Sequence, residues 1–338
     1  MSESCRIQVR TGARLHFGLL TVNTTISRQF GGAGMMIDHP GCCLELELSD
    51  RDEVSGPGAE RGWKSLRSFR QHCPIDQQPP PCRITMQQTI PDHCGFGSGT
   101  QISLAVAHGL SLIGDSEHAQ TECLPISQLA DWIGRGQRSA IGIHGFQRGG
   151  FLVDGGKSSS DTLAPLVARL EIPDAWRMLL VRPHDGAGLS GADEHRAFAA
   201  LGPLPKSTTE ELCRILLMQI LPALAESDFA TFGGALADYG RTVGHYFTRS
   251  RQRWIADPTM QQLVAWVQQA GMSAGQSSWG PTIWILCEHR AAAHDMQERI
   301  ASDGRWNDCW TSIAKPCNHG AVAERSASGP VQSQPPLH

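Results

Sequence analysis

Charge is scarce in this chain. Asp, Glu, Lys and Arg make up only 18% of its 338 residues, against roughly 25% in an ordinary globular protein. The 29 basic side chains are outnumbered by 33 acidic ones, for a formal charge of −4. Without a basic excess the chain has no electrostatic footprint for nucleic acid. No apolar run approaches the roughly 20 residues that cross a bilayer, so no membrane partner is expected. The opening Met1-Ser2-Glu3-Ser4-Cys5-Arg6 has no apolar segment behind its charge; no signal peptide is read, and a cytoplasmic location is expected. Disorder is excluded for the bulk by the 40% hydrophobic content. Cys-x-x-Cys and His-x-x-x-His spacings are both missing, and the eleven cysteines are odd in number and scattered. Reduced, buried thiols are expected rather than a zinc site or a disulfide scaffold.

What is plentiful is glycine and proline. Together they are 56 of 338 residues (36 and 20), about 17% against roughly 12% on average, which favours turns and close backbone approaches. The first 160 residues read as strands broken by glycine turns. Leu44, Leu46 and Leu48 alternate with Glu45 and Glu47, and Ile84, Met86, Gln88 and Ile90 share one face of a second run that Pro91 ends. From Thr100 the period changes: Ile102, Ala105, Val106, Leu110 and Ile113 predict a helix ending near Gly114. A second helix is expected from Ser127 through Ile133, and Phe151-Leu152-Val153 reads as a short strand. The polar stretch 157–162 suggests a boundary, giving lobes 1–160 and 161–315. Beyond it, 178–181 and 283–286 read as buried strands. Three helices lie between: one capped at Ser207 by a Ser-x-x-Glu box, one carrying Phe229 to Val243, and one opening at Asp257-Pro258. Residues 316–338 hold little apolar content and are expected to form a flexible tail.

Chemistry concentrates in a few segments. Pro91-Asp92-His93-Cys94-Gly95-Phe96-Gly97-Ser98-Gly99-Thr100 lies between a strand and a helix. Its alternating glycines let backbone N–H groups turn inward at the positive end of the helix, and Ser98 and Thr100 add hydroxyls, which predicts a phosphate or pyrophosphate cradle. It is neither a P-loop nor a dinucleotide fingerprint. Near the N-terminus, Arg14 and His16 share one face of a strand, with Arg28-Gln29-Phe30-Gly31-Gly32-Ala33-Gly34 following; an arginine beside a glycine turn suits a carboxylate or phosphate. The run from Gly134 to Lys157 is glycine-rich yet carries Arg135, Arg138, Ser139, His144, Asp154 and Lys157. Weaker candidates are Gly188-Leu189-Ser190-Gly191 and Gln276-Ser277-Ser278-Trp279-Gly280-Pro281.

Taken in order, these motifs resemble the GHMP kinase superfamily, and more narrowly its beta-ribofuranosylaminobenzene 5'-phosphate synthase family, over about residues 6 to 315. The resemblance implies an α+β, GHMP-kinase-like fold of two lobes, S5-like at the N-terminus and ferredoxin-like at the C-terminus. It implies transfer of ribose from 5-phosphoribosyl pyrophosphate to the ring carbon of 4-aminobenzoate or 4-hydroxybenzoate, releasing pyrophosphate and CO2, for tetrahydromethanopterin biosynthesis. Mg²⁺ is expected with the pyrophosphate, ATP is not, the metal ligands stay unknown, and a homodimer is expected.

On this reading His144, Asp154 and Arg28 are catalytic. Gly95, Gly97, Ser98, Gly99, Thr100, Ser277 and Ser278 bind phosphate or pyrophosphate, and Arg14, His16, Arg138, Ser139, Lys157 and Ser190 hold substrate. The chain departs from the kinases at Gly142-Ile143-His144, where they carry an aspartate, and at Ser277-Ser278-Trp279, where they carry glycines. It departs from the synthase at Thr21, where an aspartate is expected. A small-molecule kinase with an altered base and a silent GHMP-fold binding protein are the alternatives.

Overall fold

The computed structural model describes residues 5–22, 28–113, 124–158, 163–184, 188, 196–247, 255 and 257–327. Two long strands organise the first lobe. β1 (Cys5–Thr21) pairs antiparallel with β2 (Phe30–Leu48), whose two halves then part company. The Glu/Leu alternation lies in the second half of β2, which pairs with β4 (Cys82–Gln88); beyond β4 lies the short parallel β3 (Glu53–Ser55). The glycine-rich first half pairs with β5 (Phe151–Asp154). Gly32 and Gly34 belong in that half because a Cβ on either would strike the backbone of β1, at Gly18 and Leu15. One sheet face buries Ile7, Val9, Leu44, Leu46 and Ile84 against α2 (Ser98–Ile113), whose sequence carries no charged residue and is buried nearly throughout. α1 (Ala59–His72) packs on α2. Its only large buried side chains are Leu66 and Phe69 on an otherwise polar stretch, so its period is faint in the sequence.

α3 (Ile126–Trp132) and α4 (Ile141–Arg148) follow. The expected boundary at 160 is displaced, because β6 (Leu166–Leu170) still pairs with β5 in the first sheet. The second lobe is a four-stranded antiparallel sheet in the order β10 (Cys309–Ala314), β7 (Arg177–Pro183), β9 (Ile283–Cys287), β8 (Ala274–Gln276). Its helices are α5 (Lys206–Ile215), a π turn at 216–220, α6 (Leu221–Ala225), α7 (Phe229–Phe247), α8 (Pro258–Gln269) and α9 (Arg290–Ser302). Asp257 caps α8 as expected, accepting from the N–H groups of Thr259 and Met260. The capping box at Ser207 does not form: the helix begins one residue earlier, after Pro205, and makes no side-chain cap bond. No helix among the described residues is long and apolar enough to cross a membrane. The α+β class with two lobes stands.

The flexible tail is corrected for residues 316–327. Cys317 exchanges backbone hydrogen bonds with Met36 and Gly150, and Asn318 holds both backbone groups of Ile172 through its side-chain amide. β11 (Val322–Ala327) then returns to the first sheet as the partner of Cys5–Arg10. Composition misleads here because an edge strand with one exposed face needs few apolar side chains. β11 covers the edge of the strand that carries the glycine-loop contacts. Deleting 322–338 is expected to lower Tm by more than about 5 °C, equivalent to about 2 kcal/mol or more; calorimetry showing an unchanged Tm would mean β11 adds nothing.

Candidate functional site

Four of the sequence segments meet around the start of α2. Gly95 and Gly97 sit at φ of +85° and +68°, conformations that admit glycine readily and larger residues at a cost. A Cβ on Gly95 would lie 2.6 Å from the Ser277 carbonyl oxygen, and one on Gly97 would lie 3.1 Å from Arg14 Nε. The loop is therefore pressed between the second lobe and Arg14 of β1. Three bonds fasten it: Ser277 Oγ donates to the Gly95 carbonyl (2.8 Å), Thr282 Oγ1 to the Cys94 carbonyl (2.6 Å), and the Arg14 N–H to the Phe96 carbonyl (2.9 Å). Gly188 docks on the same loop, its N–H donating to the His93 carbonyl at 2.6 Å. Ser190, expected beside it, lies outside the described residues.

Two arginines to which the sequence assigns no role complete the loop. Arg61 of α1 and Arg135, after α3, both converge on Gly99: a Cβ there would lie 2.8 Å from one nitrogen of Arg61 and 3.3 Å from two of Arg135. Arg61 Nε forms an ion pair with Asp92 Oδ1 at 2.9 Å, and that oxygen accepts a hydrogen bond from Ser98 Oγ at 3.0 Å. Arg135 Nη2 reaches Ser103 Oγ at 3.3 Å, while its Nε is buried without a hydrogen-bond partner among the described residues. Burial, and then the neighbouring Arg61, pull the Arg135 guanidinium below its usual value. Two guanidinium groups beside one carboxylate leave uncompensated positive charge at the helix N-terminus, where the first N–H groups have no partner one turn back. That arrangement can hold an anion. Arg135 stood in view in the Gly134-Arg135-Gly136 motif; Arg61 was hidden with the unforeseen α1.

A second cluster lies below Arg14. His16 Nε2 is 3.1 Å from Ser139 Oγ, which is 3.2 Å from Asp154 Oδ2. Asp154 is completely buried at the end of β5 and also accepts from the N–H groups of Ala140 (2.9 Å) and Gly156 (3.1 Å). Burial raises its carboxyl above the usual range, with the three donors and then the nearby His144 pulling the other way. His16 is 6% exposed, and burial, then Arg14, hold its imidazole well below the ordinary value. The Ser277 hydroxyl that bonds Gly95 also accepts the His16 N–H (3.1 Å), and Ser278 N–H donates to the His16 carbonyl (2.8 Å).

Several expected roles change on these contacts. His144 makes no hydrogen bond to the cluster among the described residues, although its charge acts on Asp154: its Nε2 bonds the buried Ala164 carbonyl at 2.8 Å, so it packs α4 onto the chain before β6. Asp154 is sealed from any ligand and acts on Ser139 instead. Arg28 clamps backbone, donating to the Gly155 and Gly156 carbonyls at 2.8 Å each. Lys157 is buried and reaches the Gly136 carbonyl at 3.1 Å. Ser277 is fully buried and spends its hydroxyl on Gly95, whereas Ser278 is exposed. The Thr100 methyl faces Gly142 of α4. Thr21 is buried at the end of β1, opposite Phe30. Arg138 leaves the loop and stacks on Phe198, 4.2 Å from the ring centroid, beside Trp279 and Phe247. That aromatic group sits next to the cluster in sequence terms at both ends, through Ser139 and Ser278.

Comparison with known proteins shows the family and the fold. The description "GHMP kinases N terminal domain" matches residues 62–143, and "GHMP kinases C terminal" matches 220–305. A beta-ribofuranosylphenol 5'-phosphate synthase of Methanothermobacter thermautotrophicus is 30% identical over 305 residues, covering 83% of this chain and 89% of that one. One from Archaeoglobus fulgidus is 29% identical over 332 residues, covering 94% and 99%. Among solved structures, homoserine kinase from Cytophaga hutchinsonii superposes with a TM-score of 0.67 at 15% identity, covering 96% of this chain and 98% of that one. Mevalonate pyrophosphate decarboxylase from Streptococcus pyogenes gives 0.63 at 13%, covering 94% and 98%; both show the fold alone. With the glycine loop, the long β1–β2 pair and the two lobes in place, this chain belongs to the beta-ribofuranosylphenol 5'-phosphate synthase family, within the GHMP kinase fold.

Proposed function

We propose that this chain is a decarboxylating pentosyltransferase that joins the anomeric carbon of 5-phosphoribosyl pyrophosphate to the ring carbon bearing the carboxylate of 4-hydroxybenzoate or 4-aminobenzoate. The observation that carries the reading is the surplus of guanidinium charge at the start of α2. Departure of pyrophosphate leaves positive charge on the ribose, so the leaving group must be held where its negative charge is stabilised. Arg61, Arg135 and the N–H groups of the loop supply that at Gly97–Gly99, with Arg14 on the other side. The aromatic acid belongs against Arg138, Phe198 and Trp279, which present ring faces and one cation. A para hydroxyl or amino group makes its carboxyl-bearing carbon electron-rich; that carbon attacks, and CO2 leaves to restore the aromatic ring. The family name, with phenol in it, favours the hydroxy acid.

Mg²⁺ enters this reading as the companion of pyrophosphate. Among the described residues no three His, Cys, Asp or Glu side chains gather to hold a metal, so its oxygens would come chiefly from the substrate, with Asp92 the carboxylate at the loop. Bound there it would offset pyrophosphate charge. ATP has no part in the proposal: two arginines, rather than a lysine and a catalytic aspartate, flank the loop, and His144 is engaged elsewhere.

Incubation with 5-phosphoribosyl pyrophosphate and either acid, labelled in the carboxyl group, is expected to release labelled CO2 only when both substrates are present. Release without the sugar, or ADP formation from ATP with no CO2, would overturn the reading. Arg61→Ala and Arg135→Ala should each weaken pyrophosphate binding by about 30-fold or more, the effect of truncating a charge-assisted pair worth at least about 2 kcal/mol; titration calorimetry that finds unchanged affinity in both would remove the anion site. His144→Ala leaves the Ala164 carbonyl unsatisfied, so it should cost about 1–3 kcal/mol of stability while turnover stays within about threefold of the parent. A loss of a hundredfold in turnover would restore His144 to the chemistry.

A further inference from the structure

We infer that His16, not His144, is the catalytic base of the proposed reaction, and that Ser139 and Asp154 form a relay which fixes its tautomer and takes up its second proton. The inference rests on the pentosyltransferase reading above. It is carried by hydrogen-bond accounting. An ionised Asp154 can only accept, so the single Ser139 hydroxyl proton points at Oδ2, 3.2 Å away. The two lone pairs of Ser139 Oγ then face the Ile141 N–H (3.2 Å) and His16 Nε2 (3.1 Å). With its proton committed to Asp154, Ser139 leaves His16 one role at Nε2, that of donor. The proton of the neutral imidazole therefore sits on Nε2, and Nδ1 carries the lone pair. Nδ1 makes no hydrogen bond among the described residues, yet it is not one of the sealed side-chain atoms that lack a partner. Part of its surface is therefore still reachable as an acceptor, although the residue as a whole is only 6% exposed.

The surroundings suit that task. His16 is one step along a strand face from Arg14, which lies on Gly97 of the anion loop, and its carbonyl is bonded to Ser278, the neighbour of Trp279. It thus stands between the pyrophosphate end and the aromatic end of the site. Gly32 of β2 leaves the room: a Cβ there would come within 3.4 Å of His16 Cε1. The charged groups acting on the ring are Arg14 on its own strand and Asp154 across Ser139; the 276–282 turn and the glycine strand of β2 contribute none.

The step balances as follows. The ring carbon bearing the carboxylate bonds to the anomeric carbon while the anomeric C–O bond to pyrophosphate breaks with its electron pair. The para O–H (or N–H) proton passes to His16 Nδ1, and the freed pair becomes the C=O (or C=N) of a dienone-like intermediate. The Nε2 proton moves to Ser139 Oγ as the Ser139 proton moves to Asp154 Oδ2, so the imidazole returns to neutrality and the buried carboxylate is neutralised. When the ring-to-carboxylate bond breaks, its electron pair restores the aromatic ring and the para oxygen recovers a proton by the reverse path. No net proton is consumed.

The test combines spectroscopy and kinetics on the full chain. Nitrogen-15 NMR of histidine-labelled protein should show His16 neutral between pH 6 and 8, with Nε2 protonated and Nδ1 bare; a charged ring or the opposite tautomer overturns the proposal whether or not the protein is active. Ser139→Ala should leave a mixture of tautomers and lower turnover, a change that loss of simple packing would not produce; a tautomer unmoved in that variant removes the relay. His16→Gln should reduce CO2 release by at least about 100-fold with the Michaelis constant for 5-phosphoribosyl pyrophosphate within about threefold. Loss of less than threefold in His16→Gln, with an active parent, overturns the base alone. A parent that releases no CO2 from either acid overturns the pentosyltransferase reading and the base role with it.

Discussion

The hydroxyl of Ser277 holds three segments in register, and the site exists only while they stay so. It donates to the Gly95 carbonyl and accepts from the His16 N–H, while the next residue's N–H closes on the His16 carbonyl. A turn of the second lobe is thereby bonded at once to the glycine loop and to β1. Because Gly95 cannot carry a Cβ without striking Ser277, the loop sits at one distance from that turn. The N-terminus of α2, Arg14 and His16 inherit their mutual placement from this junction.

The electrostatics divide the site in two. Around Gly99 the protein accumulates positive charge, bringing Arg61 and Arg135 together at a cost that burial makes visible in the Arg135 guanidinium. Around His16 it does the opposite. There a carboxylate is buried under three donors, an imidazole is held neutral, and a serine passes hydrogen bonds between them. The first environment suits a leaving group that is already anionic. The second suits a proton that must leave the substrate and return within one turnover. Two-step chemistry of the proposed kind uses both.

Much of the architecture was legible because it is written in periods and turns. The switch from alternation in β4 to helical spacing in α2, the glycines between them and the Asp257-Pro258 cap all express local physics that the structure keeps. The glycine turn at the start of α2 followed from the same reading. What was not legible depends on contacts distant in sequence. His144 and Asp154 are residue types that catalysts use, but the partner of the first is the Ala164 carbonyl, and those of the second are the Ser139 hydroxyl and the N–H groups of Ala140 and Gly156, which no spacing reveals. Arg28 looked like a ligand clamp and is a backbone clamp, since a guanidinium satisfies carbonyls as readily as carboxylates. Arg61 sits on a helix whose apolar stripe is two side chains wide, and β11 is an edge strand with few apolar residues. Both were passed over for want of pattern.

The central claim is that a carbon–carbon bond forms at the anomeric centre. The most direct measurement uses 4-hydroxybenzoate enriched with carbon-13 at the carboxyl-bearing ring position together with 5-phosphoribosyl pyrophosphate enriched at the anomeric carbon, and carbon NMR of the product. The account predicts one-bond carbon–carbon coupling between the two labels, in a product that has lost its carboxyl group. A product that keeps the carboxyl group and shows no such coupling, as an O-riboside would, contradicts it.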